Sequence, residues 1–236
     1  MAERIEVSWW VAAVLVACAS AAAAAEPQAG TGTGAGANAV PAAQALERLV
    51  KGNARYVENK PERPDSRPTG GTQTPIAAVV SCADARAPVE ILFDQGVNDL
   101  FVVRVAGNTV GDPSSAPAPT DTVQLQSLVF AVTSLKVNLV FVLGHEECGA
   151  VKGALDQCGG SGIGPMFQNI CSAVSAKPPP GPPEQRVRAT VAANVQSQVA
   201  LLKRTPPFAD LVKQGTLKVA GGVYDLKTGK VTLTAP

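Results

Sequence analysis

Leu139-Val140-Phe141-Val142-Leu143-Gly144-His145-Glu146-Glu147-Cys148 is the stretch that decides the architecture. Five apolar residues in a row, with no polar alternation, read as a strand buried on both faces. That is the pattern of a parallel sheet covered by helices on each side. The run ends at a glycine, and a histidine and a cysteine follow in the turn. His145 is the only histidine in the 236 residues. Upstream, Ile76 to Val80 forms a second unbroken apolar run, and it ends in Ser81-Cys82-Ala83-Asp84-Ala85-Arg86. Each run delivers a soft or borderline metal ligand to the end of a buried strand. Open α/β sheets bind their ligands at the carboxyl ends of strands.

Two thiolates and one imidazole make a three-ligand zinc set with a fourth position open, which is the catalytic pattern. Zinc in such a site lowers the pKa of a bound water toward neutrality. Cys82, His145 and Cys148 are the expected ligands. Asp84 and Arg86 follow Cys82 at alternate positions, so in an extended turn they share its side. Arg86 is expected to keep Asp84 ionised through a bidentate pair. Asp84 then either orients the reactive water or takes the fourth metal position itself. The competing readings are a Cys82–Cys148 disulfide, an ordinary surface ion pair and a histidine with no metal role.

The surrounding chain alternates between strand and helix. Ala42 to Tyr56 has helical spacing, with Ala45, Leu46, Leu49 and Val50 as apolar positions. Pro88 to Phe93 predicts a short helix, Leu100 to Val105 a strand, and Gly107 to Pro119 a loop. Asp121 is the expected cap of a helix running to Leu135. Helices are also predicted at Gly149 to Leu155, Pro165 to Ala176 and Glu184 to Lys203. Leu217 to Tyr224 and Lys230 to Thr234 read as closing strands around Asp225-Leu226-Lys227-Thr228-Gly229, the last of them an edge. The fold class is therefore α/β, with a central, mainly parallel sheet flanked by helices.

With 20 basic against 19 acidic residues and no basic stripe, nucleic acid is excluded as a partner. Residues 1–25 carry a short apolar run, Trp9 to Val16, then Cys18 and an alanine series. That run is too short to span a membrane and reads as a secretory signal. Leu15-Val16-Ala17-Cys18 resembles a lipoprotein box, which would leave a lipid anchor at Cys18. The alanines offer ordinary cleavage sites instead, and a leader with no export role is the remaining reading. Residues 26–41 read as a flexible linker and 42–236 as the catalytic domain. The expected location is the periplasm. Cys158 and Cys171 either form a disulfide there or stay as two small apolar residues.

Cys82-Ala83-Asp84-Ala85-Arg86 together with Gly144-His145-x-x-Cys148-Gly149 resembles the β-class carbonic anhydrases. The likeness continues in Leu49-x-x-Gly52-Asn53-x-Arg55-Tyr56, in Val103-Arg104-Val105-Ala106-Gly107-Asn108 and in the segment from Gly221 to Lys230. It runs from about Ala42 to the C-terminus.

The resemblance implies a four- to five-stranded sheet, one Zn2+ per subunit, and reversible hydration of carbon dioxide to bicarbonate. It also implies a homodimer or a dimer of dimers. It assigns substrate contacts to Gln73 and to the Gly107 amide, and apolar wall positions to Phe101, Ala106 and Phe130, part of the wall coming from the partner subunit. The residues alone also allow a solvated Gln73, core phenylalanines and a glycine that serves only its turn. The family's usual Ser-Leu-Glu-Tyr-Ala reads Ser127-Leu128-Val129-Phe130-Ala131 here, which removes a carboxylate and a hydroxyl. With no second histidine, proton release must use buffer, water or carboxylates such as Glu146 and Glu147. The alternatives are hydrolysis of carbon disulfide or carbonyl sulfide on the same fold, or a non-catalytic zinc-stabilised binding module.

Overall fold

Five strands build the sheet: Ala77–Ser81 (β1), Leu100–Arg104 (β2), Lys218–Tyr224 (β4) and Val231–Leu233 (β5), with Leu139–His145 (β3) at the centre. Their order is β2-β1-β3-β4-β5. The first four run parallel, and β5 closes the edge antiparallel to β4. The computed structural model describes residues 40–62, 71–160, 164–174 and 179–235. The leader (1–25) lies outside the described residues, as does the linker (26–41) except for Val40 and Pro41. Among the described residues no helix is long and apolar enough to cross a membrane.

Every residue of β1 and β3 is buried, as an unbroken apolar run requires. Alternation along each strand divides the core into two layers. Ala78, Val80, Val140 and Val142 face Val123–Thr133 (α3), Pro183–Arg204 (α6) and Phe208–Lys213 (α7). Ala77, Val79, Leu139, Phe141 and Leu143 face Ala42–Val57 (α1) and Val89–Leu92 (α2). α1 buries Ala45, Leu49, Gly52 and Asn53 along one stripe. Gly52 lies flush on the main chain there: a Cβ would sit 1.8 Å from the Phe93 carbonyl oxygen. Asn53 Nδ2 donates to Leu92 O at 3.0 Å and to Gly229 O at 2.9 Å, while its oxygen accepts from Val231 N at 2.8 Å.

α6 buries Val187, Val191, Val195, Val199 and Leu202, the positions its spacing predicts, and with them Thr190, Asn194 and Gln198. The amides bind the loop after β2. Asn194 Nδ2 donates to Gly107 O at 2.8 Å, and Gln198 spans Val110 N and Gly111 O at 2.8 and 3.1 Å.

The structure corrects several boundaries. Thr122, not Asp121, caps α3. Its hydroxyl accepts from Leu125 N at 3.2 Å and donates to Val110 O at 2.7 Å. A carboxylate accepts only, so it cannot make that pair of bonds. The helix ends at Thr133 rather than Leu135, because Lys136 adopts φ 58° and turns the chain back. Gly149–Gln157 (α4) and Pro165–Ala173 (α5) form as separate helices. They are joined by a Cys158–Cys171 disulfide with Cα atoms 5.5 Å apart. α7 is a helix that the sequence reading does not contain; its six residues are too few for a periodic signal.

Candidate metal centre

β1 and β3 are neighbours, with Ser81 opposite Leu143, and β2 lies on the far side of β1. The chain leaves β1 for one edge and returns to the other side. The sheet therefore has its switch point between the carboxyl ends of β1 and β3. Cys82 is the first residue beyond β1, His145 is the last of β3, and Cys148 directly precedes α4. Between them Glu146 N bonds Tyr224 O at 2.8 Å, and Glu147 takes φ 54°. That left-handed residue reverses the turn and brings Cys148 back toward His145.

The ligand atoms of Cys82, His145 and Cys148 lie within 4.8 Å of one another. All three residues are buried, at 4%, 1% and 1% exposure. The sulfurs are 3.9 Å apart and unbonded. Two sulfurs at zinc–sulfur bonding distance and a tetrahedral angle stand about 3.8 Å apart. His145 Nδ1 lies 2.8 Å from Glu146 O and so carries the ring proton as donor. That leaves Nε2 as a lone pair, buried and without a hydrogen-bond partner. A buried acceptor with no donor is costly unless a cation takes it up. The donor set fits zinc, the cofactor of the proteins this chain resembles.

The electrostatics suit a cation. The hydrogen bond from the Cys148 thiol pulls the Cys82 pKa down against burial, and His145 and the Asp84 and Gly107 amides add to it. Cys148 is pushed up by its bond to the Cys82 sulfur and by burial, since a second charge beside the first is unfavourable. Burial opposes charge on His145, but the neighbouring Cys82 sulfur and its charge, the Glu146 carbonyl and the Asp84 carboxylate raise it overall. A divalent ion offsets the second negative charge and so releases the Cys148 proton as well.

Asp84 is half-buried beside this set, with Oδ2 3.8 Å from His145 Nε2. Arg86 holds it through Nε to Oδ1 at 2.9 Å, Nη2 to Oδ2 at 2.7 Å and its main-chain amide to Oδ1 at 2.9 Å. The Arg86 side chain first, and its amide with it, keep the Asp84 carboxyl well below the usual carboxylate range.

The structure brings five of the expected site residues together: Cys82, Asp84, Arg86, His145 and Cys148. Gly107 joins them through its amide, which donates to Cys82 Sγ at 3.3 Å. Gly107 has φ 73°, and a Cβ there would meet Ile170 Cδ1 at 2.8 Å. Ala106 is half-buried in the same turn.

Gln73, Phe101 and Phe130 stand elsewhere in the protomer. Thr74 bonds Asn98 ahead of β2, at 3.1 Å from N to Oδ1, so the exposed Gln73 lies at the amino end of the sheet. The rise along β1 separates it from the metal ligands by roughly 15 Å. Phe101 pairs with Ala78 near the same end, and its ring centroid lies 6.2 Å from that of Phe130.

The contacts of two side chains were not readable in sequence. Arg104 bonds the carbonyls of Cys82 and Asp84, and Asn194 bonds that of Gly107. Both side chains meet main-chain oxygens, which carry no residue-specific signal.

A family model described as carbonic anhydrase matches residues 77–231. Carbonic anhydrase 2 of Mycobacterium tuberculosis is 34% identical over 205 residues, covering 83% of this chain and 94% of that protein. The carbonic anhydrase of Mycolicibacterium smegmatis is 37% identical over the same length. Among solved structures, the β-carbonic anhydrase of Coccomyxa, in complex with acetazolamide, superposes with a TM-score of 0.60 at 23% identity. The match covers 81% of this chain and 82% of that one. A β-carbonic anhydrase of Sordaria macrospora, described as tetrameric, gives 0.57 at 23%, covering 70% and 83%. These two show the same fold. Identity above 30% along nearly the whole of the mycobacterial proteins, spanning the two strand ends that carry Cys82 and His145, shows that the chain belongs to the carbonic anhydrase family, in its β class.

Proposed function

We propose that the protein catalyses the reversible hydration of carbon dioxide to bicarbonate and a proton. The observation that carries this reading is the placement of the ionised Asp84 carboxylate 3.8 Å from His145 Nε2, beside the two sulfurs. Zinc bound by Cys82, His145 and Cys148 would supply a water acidic enough to ionise near neutral pH. Asp84 acts as the acceptor that orients this nucleophile, through an oxygen facing the ligand set. Arg86 holds both carboxylate oxygens, which keeps Asp84 charged and draws it away from the fourth metal position. The only histidine is a ligand, so the proton passes to solvent, buffer or carboxylates, with Glu146 and Glu147 standing in the ligand turn.

A homodimer, alone or paired into a dimer of dimers, completes the pocket in this reading. Phe101 and Phe130 of each protomer wall the site of the other, and Gln73 offers that site a hydrogen bond to substrate. Their position at the amino end of the sheet supports this, as does the exposure of Val123 (78%) and Phe130 (45%) on α3. The enzyme works after export to the periplasm, either as a soluble domain or anchored through Cys18. The Cys158–Cys171 bond supports an oxidising compartment.

Stopped-flow hydration of carbon dioxide by the zinc-loaded protein tests the activity. A rate far above buffer that a chelator abolishes is expected; a rate equal to buffer overturns the reading. Carbonyl sulfide and carbon disulfide belong in the same assay, and turnover of either in place of carbon dioxide would reassign the substrate. A zinc-loaded protein inert toward all three would be a binding module.

A further inference from the structure

Asp84 and Arg86 belong to one loop. Their ion pair orients the carboxylate within that loop, but it does not set the loop's distance from His145 and Cys148, which arrive from β3. The loop is tied to the sheet on the β2 side. Val105 N bonds Ser81 O at 3.0 Å and Ala83 N bonds Val105 O at 3.3 Å, continuing the ladder one residue past Cys82. Beyond that point the tie is a side chain. Arg104, the last residue of β2 and the register partner of Ser81, reaches across with its guanidinium. Nε donates to Cys82 O at 2.9 Å, and Nη2 donates to Asp84 O at 2.6 Å. One rigid fork thus grips the carbonyl of a metal ligand and that of the carboxylate residue two positions on.

We infer that Arg104 is a positioning residue: its bidentate grip on the Cys82 and Asp84 carbonyls sets the distance of the Asp84 carboxylate from the metal ligands. This rests on the role given to Asp84 above. A planar guanidinium has two donors at fixed spacing, whereas a lysine ammonium is a point charge that cannot hold both carbonyls in this geometry. All three ligands remain without Arg104, and so do the two main-chain bonds. The zinc should stay while Asp84 drifts, and displacements of about 1 Å near reacting atoms cost on the order of a hundredfold in rate.

The test compares wild type with Arg104→Gln and Arg104→Lys. Zinc content near one per chain is expected in all three. The kcat for carbon dioxide hydration should fall about 10- to 100-fold in both variants, with a smaller change in KM, as for other groups that orient first-sphere ligands. With Co2+ in place of zinc, the visible absorption spectra of both variants should differ from wild type, reporting the altered surroundings of the metal. Wild-type kcat together with superimposable cobalt spectra overturns the inference. Loss of zinc from Arg104→Lys also overturns it, because Arg104 would then hold the ligand itself. If Arg104→Gln does not fold, Arg104→Lys, which keeps the stem and the charge, decides alone. If the wild type does not hydrate carbon dioxide, the proposed activity fails, yet the cobalt spectra still decide the place of Arg104.

Discussion

Asp84 and Arg86, two residues apart in one loop, close on each other through parallel bonds of 2.9 and 2.7 Å, and the Arg86 amide adds a third at 2.9 Å. The pair stands beside the ligand atoms without being one of the three that converge. Asp84→Ala should therefore keep its zinc and lose roughly a hundredfold or more of its hydration rate, the scale of a lost proton-handling group. Arg86→Ala should lose less, since Asp84 remains. Stopped-flow rates beside metal analysis separate the two effects; an Asp84→Ala protein with unchanged kcat would remove Asp84 from the chemistry.

Cys148→Ala deletes one of three ligands and should bring zinc content from near one per chain to near zero. Metal that binds only the folded state stabilises it. Chelation should accordingly lower the melting temperature of wild type and leave that of the variant unmoved. Calorimetric scans with and without chelator read this directly, and equal shifts in both proteins would mean the ion sits elsewhere.

Gly52→Ala places a Cβ 1.8 Å from the Phe93 carbonyl oxygen. Neither α1 nor the end of α2 can yield without losing the Asn53 bonds next to it. The cost should reach about 3 kcal/mol, the upper end for overpacking. A fall in the urea midpoint at unchanged slope measures it, and a midpoint within error of wild type would show that α1 has room to shift.

Asp225 accepts from Lys227 N at 2.7 Å and Thr228 N at 3.3 Å in the turn between β4 and β5. The Lys227 amide foremost holds its pKa below the ordinary carboxylate value. A folded value below the unfolded one gives stability that is complete above the unfolded value, about 3.9, and that is lost as pH falls through the folded value. Asp225→Asn removes that titration. Its melting temperature should lie below that of wild type at neutral pH and converge on it in acid. A constant gap from pH 7 to pH 3 would show that the carboxylate charge contributes nothing.

Much of the fold was legible because its signals are local. Residues 76–80 and 139–143 are apolar without interruption, and only burial on both faces explains such runs. The valines of α6 recur at one-turn spacing, and all of them are buried. Where the reading failed or left alternatives open, a distant partner decided. Thr122 displaced Asp121 as the cap because the Val110 carbonyl offered its hydroxyl a second bond. The pairing of Cys158 with Cys171 depended on α4 and α5 lying side by side, and spacing alone does not report that.

At the site, residue identity at the two strand ends was enough to name the metal ligands and the Asp84–Arg86 pair, because sulfur, imidazole and carboxylate chemistry belongs to those side chains wherever they stand. Only the tertiary structure could show that Arg104 grips the Cys82 and Asp84 carbonyls, that the Gly107 amide meets the Cys82 sulfur, and that Gln73 and Phe101 stand at the other end of the sheet. Those relations join main-chain atoms and side chains brought together by the strand order β2-β1-β3. Strand order is set by how whole faces bury against helices, a property of the assembled core that no short stretch of residues contains.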